Sequence, residues 1–156
     1  MRVSEILSKE FIIADLNSTD KESAINELID LFINDPRVDD IEKVRQAVLD
    51  REKIMSTGVG KGFAIPHGKT DSVKEIIAAF GRKKDGIEYD ALDGNPVNLI
   101  FLLVGRDTMI SAHIKLLSRV SRMMNKDDFR LRLLNAETSE EIMNVFLEEE
   151  KSYLEI

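Results

Sequence analysis

His67 and His113 are the two histidines of this 156-residue sequence, and no other side chain type offers a neutral, nucleophilic nitrogen near pH 7. Attack by such a nitrogen on phosphorus gives a phosphoramidate, which readily passes its group onward. His67 lies in the segment Arg51 to Thr70, REKIMSTGVGKGFAIPHGKT, with Pro66 and with four of the chain's eight glycines: Gly58, Gly60, Gly62 and Gly68. Glycines this close together permit turns that other residues resist, and they leave N–H groups open to an anion. Arg51 opens the segment with a guanidinium that can hold phosphoryl oxygens in a bidentate manner. These residue types suggest phosphoryl handling. They also fit a plain surface loop, a solvent-facing histidine, and an Arg51 paired with Asp50 or Glu52.

His113 stands in line with Leu116, Leu117, Val120 and Met124, so its spacing describes a partly buried helix residue. If it faces His67, it can hydrogen-bond the imidazole or a phosphoryl oxygen. Met55 and Met109 flank the candidate site, while Met123, Met124 and Met143 fall on helix patterns as core filler. Two nucleotide motifs fail on spacing. A Walker loop needs four residues between its glycine and Gly-Lys-Thr, but five separate Gly62 from Gly68, one of them proline; a dinucleotide fingerprint needs glycine where Phe63 stands. Two distant histidines and scattered carboxylates make no metal-ligand spacing.

Composition narrows the classes further. No cysteine is present, which excludes disulfides and thiol chemistry. A net charge of -7 and a pI near 5.0 argue against coating nucleic acid and favour encounters with basic partner surfaces. The longest apolar stretch, Leu99 to Val104, is too short to span a bilayer, and the first residues lack the apolar run of a signal peptide. The expectation is a cytoplasmic protein without direct membrane insertion, free-standing because no linker marks either end.

The elements that must position these residues are legible from their boundaries. Thr19–Glu22, Asp39–Glu42 and Thr138–Glu141 each place a capping side chain three residues before a Glu, ahead of apolar stripes at helical spacing. Further helical patterns cover 111–125 and 127–135. Strand signals are Phe11-Ile12-Ile13, Phe63-Ala64-Ile65 leading to His67, Ile76 to Phe80, and the nearly continuous apolar run Asn98 to Val104 of a central strand. Gly86 to Tyr89 and the Asp93-Gly94-Asn95-Pro96 turn predict a hairpin into that strand. The expected fold class is therefore α/β, a single domain over 1–156 with a mixed β-sheet flanked by helices on both faces.

Arg51-Glu52, Ser56-Thr57-Gly58-Val59-Gly60 and Ala64-Ile65-Pro66-His67 together resemble the enzyme IIA domains of the bacterial sugar phosphotransferase system, fructose/mannitol/nitrogen-regulatory class. The likeness extends to Asp93-Gly94, Leu99 to Val104 and His113-Ile114-Lys115-Leu116-Leu117. It implies that His67 accepts a phosphoryl group from the histidine-containing phosphocarrier protein and passes it to a cysteine of enzyme IIB. It further implies that His113 supports His67, that Arg51 stabilises the phosphoryl group, and that Thr57, Gly58 and Gly60 form a phosphoryl loop. No cofactor is needed for such transfer, which is mostly positioning and charge stabilisation. Gly105-Arg106-Asp107 departs from relatives that carry proline after the glycine, which bears on the loop before His113 and on partner choice. Gly68-Lys69-Thr70 leans towards the fructose-type members. The alternatives are a nitrogen-regulatory protein, in which the phosphorylation state of His67 controls target binding, and a metabolite-binding domain without covalent chemistry.

Overall fold

The run Leu99 to Val104 is apolar throughout because both of its faces are covered. In the computed structural model, which describes residues 1–154, it forms the middle of β6 (Val97–Gly105). Leu99, Phe101 and Leu103 turn to one side of the sheet, Ile100, Leu102 and Val104 to the other, and each set joins a separate core. On the first side lie α1 (Val3–Ile6), α4 (Ile110–Met124), α5 (Asp127–Asn135) and α6 (Ser139–Leu154), packed through Leu116, Val120, Phe129 and Phe146. On the second lie α2 (Lys21–Ile29) and α3 (Ile41–Ile54), packed through Ile25, Leu28, Val44 and Val48.

The other strands are β1 (Ile12–Ile13), β2 (Gly58–Gly60), β3 (Phe63–Ala64), β4 (His67–Lys69) and β5 (Ile77–Ile87). β5 and β6 form the expected antiparallel hairpin, β1 joins β5 in parallel, and β3 and β4 both run parallel to β6, so the sheet is mixed. β3 and β4 keep one register: Phe63 faces Leu99, Ala64 faces Ile100, and His67 faces Leu103. They are one strand interrupted at Ile65-Pro66, where proline lacks the N–H a ladder needs. Its carbonyl still accepts from Leu103 N–H at 3.1 Å.

Several boundaries differ from the sequence reading. α2 is capped by Asp20, which accepts from Ser23 N–H at 2.9 Å, and α3 by Asp40, which accepts from Glu42 N–H at 3.0 Å. The neighbouring Thr19 and Asp39 do not hold those cap positions, because the chain enters each helix one residue later. Thr138 does act as read, accepting from Glu141 N–H at 3.1 Å. Phe11 belongs to a short 3-10 turn rather than to β1. The strand expected over Ile76–Phe80 extends to Ile87, through Arg82-Lys83-Lys84-Asp85.

Candidate functional site

Two glycines clear the space in which the site is built. Gly68, on β4, faces α3: a Cβ there would stand 3.0 Å from Val48 N and 3.1 Å from the Ala47 carbonyl carbon. Helix α3 therefore lies with its backbone against the strand, and Arg51, one turn beyond Ala47, reaches the end of the strand that carries His67. On the other side of the sheet, Gly105 ends β6. A Cβ on it would stand 3.0 Å from His113 Nδ1, so the imidazole occupies the room that a side chain would take. The two ring centroids of His67 and His113 are 5.8 Å apart, inclined at 55°.

The result is an open cleft of about 450 Å³ lined by Arg51, His67, Lys69, Asp107 and His113, with Ile114 and Leu117 on one wall. His67 is half-buried, and its Nδ1 lies 2.9 Å from the Ile65 carbonyl oxygen. A carbonyl only accepts, so Nδ1 carries the proton and the lone pair is on Nε2. Burial lowers the His67 pKa; the Ile65 bond opposes this, and the charges of Arg51 and Lys69 reinforce it. His113 is 3% exposed, and neither ring nitrogen has a hydrogen-bond partner among the described residues. Burial, with His67 and Lys69 alongside, pushes its pKa down to about 4, so the ring is neutral at pH 7.

Arg51 makes no ion pair with Asp50 or Glu52 among the described residues; its Nη1 donates to the Met55 carbonyl at 3.0 Å, steadying the end of α3. Glu52 turns the opposite way and is almost fully buried. Its carboxylate accepts from Thr57 N–H (2.6 Å), Thr57 Oγ1 (2.5 Å) and Tyr89 OH (2.9 Å), with Lys21 Nζ at 3.5 Å. Burial and this carboxylate raise the Tyr89 pKa.

The structure thus brings Arg51, His67 and His113 to one cleft, whereas Thr57, Gly58 and Gly60 have other neighbours. Thr57 is clamped by Glu52. A Cβ on Gly58 would meet Tyr89 and Ala91 at 3.0 and 3.1 Å, and Gly60 lies beside Asp93. Lys61 and Gly62, at φ +61° and +77°, make the tight β2–β3 turn, the backbone condition of a two-residue type I′ hairpin. Met55 and Met109 do not line the cleft. Arg106 donates to the Val73 carbonyl at 2.8 Å, fastening the loop before α4 to the 71–73 turn. Glu52 and Lys69 lie in the sequence motifs without a site role of their own there. Glu52's signal was a threonine five residues on, and that of Lys69 its position two residues after His67 in a strand.

Among the described residues there is no cluster of three or more potential metal ligands, and no helix is long and apolar enough to cross a membrane. Residues 5–149 match the family model "Phosphoenolpyruvate-dependent sugar phosphotransferase system, EIIA 2". The chain is 38% identical to a fructose-specific EIIA component of Haloferax volcanii, over 94% of this chain and 95% of that protein. It is 36% identical to a fructose-specific EIIABC component of Bacillus subtilis over 97% of this chain, which spans only 24% of that longer protein. The crystal structure of nitrogen regulatory protein IIA-Ntr from Neisseria meningitidis superposes with a TM-score of 0.86 at 30% identity, covering 92% of this chain and 98% of that one.

Proposed function

Since the chain belongs to the EIIA 2 family of the phosphoenolpyruvate-dependent sugar phosphotransferase system, we propose that it accepts a phosphoryl group on Nε2 of His67 and hands it to a partner protein. The donor is the histidine-containing phosphocarrier protein and the acceptor a cysteine of enzyme IIB. The observation that carries this reading is the convergence of Arg51, His67 and the neutral, buried His113 on one cleft, with neither ring nitrogen of His113 partnered among the described residues. Leaving a buried donor unsatisfied costs about 1–3 kcal/mol. An arriving phosphoryl oxygen satisfies it.

In the forward step the Nε2 lone pair attacks phosphorus while the P–N bond of the donor phosphohistidine breaks, its electron pair returning to the donor nitrogen. His67 keeps its Nδ1 proton on the Ile65 carbonyl, which holds the ring in orientation throughout. The Arg51 guanidinium and the His113 N–H meet the charge on the equatorial oxygens as it moves from donor to His67. Onward transfer reverses the step, with a thiolate sulfur as nucleophile and the pair returning to Nε2.

Likeness to the two fructose-specific proteins supports service to fructose-type uptake. The similarity to a nitrogen regulatory protein supports a second reading, in which the phosphorylation state of His67 sets affinity for a target. The test is radiolabel from phosphoenolpyruvate in the presence of the two general phosphotransferase proteins. Wild type takes up acid-labile, base-stable phosphate and donates it to a fructose-type enzyme IIB; His67→Ala does neither. Labelled protein that fails to donate to any sugar-specific IIB favours the regulatory reading, and a labelled His67→Ala refutes the site.

A further inference from the structure

We propose that Lys69 is a third contact to the phosphoryl group, its ammonium closing the side of the cleft that Arg51 and His113 leave open. The proposal rests on His67 as the acceptor. Lys69 follows His67 by two residues in β4, so both side chains leave the same face of the strand. Its partner across the ladder is Gly105, the residue whose absent side chain is replaced by the His113 ring. Lys69 therefore emerges next to His113 and one step along the strand from His67, over the same cleft.

The charges around the cleft point the same way. The sequence is acidic, and many of its cations are paired: Arg37 with Asp35, Arg45 with Asp30, Arg132 with Glu149. Arg51 and Lys69 have no ion pair among the described residues, although Asp107 also lines the cleft. Two cations beside two neutral imidazoles outweigh Asp107 and leave a net positive cleft suited to an incoming dianion. The field of Lys69 reaches both rings, since it helps to lower the pKa of His67 and of His113. A primary ammonium suits this position because it is a compact charge on a flexible stem, able to follow the oxygens from donor to His67.

Phosphoramidate serves as a small donor, so that partner docking plays no part, and labelling of His67 is followed by phosphorus NMR. In wild type His67 is phosphorylated. Lys69→Gln slows labelling about tenfold, as loss of one charge-assisted contact at a partly exposed site implies, and Lys69→Arg stays within about threefold of wild type. Lys84→Gln, which removes an exposed lysine elsewhere, leaves the rate unchanged and controls for net charge. In the unphosphorylated protein, imidazole titrations of Lys69→Gln move upward for both His67 and His113. Wild-type labelling with an unaltered rate in Lys69→Gln, whatever the titrations show, overturns the role of Lys69 while His67 stands. A wild type that takes phosphate neither from phosphoramidate nor from the carrier protein overturns the acceptor itself, and Lys69 with it.

Discussion

Replacing His113 with phenylalanine should flatten the acid limb of the protein's stability curve. The native ring sits neutral, with a pKa of about 4, because protonation would place a charge in a buried pocket beside His67 and Lys69. In the unfolded chain the same ring titrates near its ordinary value of about 6.5. Between these values the unfolded state binds more protons than the folded one, so stability is full above about pH 6.5 and is lost as pH falls towards 4. The full difference corresponds to about 3 kcal/mol, and about 2 kcal/mol of it is lost between pH 7 and pH 5. Urea denaturation at half-unit steps of pH from 7.5 to 4.5, for wild type and His113→Phe, isolates this term, because carboxylate and His67 contributions are common to both. The wild-type curve should fall more steeply by that amount, with the difference levelling off below pH 4. Parallel curves, or an NMR titration of the native His113 ring centred near pH 6.5, would refute the reasoning.

Other perturbations test the scaffold. Gly68→Ala drives a methyl group into the backbone of α3, which should cost about 1–3 kcal/mol in denaturant and, by shifting Arg51, slow labelling of His67 more than the stability loss explains. Glu52→Gln leaves Thr57 and Tyr89 without a carboxylate to donate to; a loss of about 1–3 kcal/mol is expected, with His67 still labelled. Asp20→Ala removes the cap of α2 and should cost about 1 kcal/mol without touching the rate of phosphorylation, since that helix does not line the cleft.

How much of this was legible depended on whether a residue's environment is local. The β6 run announced itself because burial on both faces removes polar residues altogether, and the helices because their caps and stripes are short-range patterns. The outer half of β5 was hidden by Arg82, a polar letter in a buried place. Its guanidinium donates to the carbonyls of Ala14 at 3.0 Å and Leu133 at 2.9 Å, and to that of Ala136, partners 51 to 68 residues away that no local window contains. The glycines near Thr57 read as an anion cradle because glycine permits many conformations. In the fold, Gly58 yields to Tyr89 and Ala91, and Gly62 turns a hairpin. Gly68 and Gly105, whose clearances bring Arg51 and His113 to the cleft, carry no mark in the sequence of the helices that press on them. Chemical type pointed to His67; the convergence around it is a property of the packing.

The most direct measurement is nitrogen–proton NMR of histidine-labelled protein before and after phosphorylation by the carrier protein. Phosphorus should appear on Nε2 of His67, with Nδ1 still protonated against the Ile65 carbonyl and His113 unmodified. Attachment to Nδ1 of His67, or to His113, would contradict the mechanism drawn from this cleft.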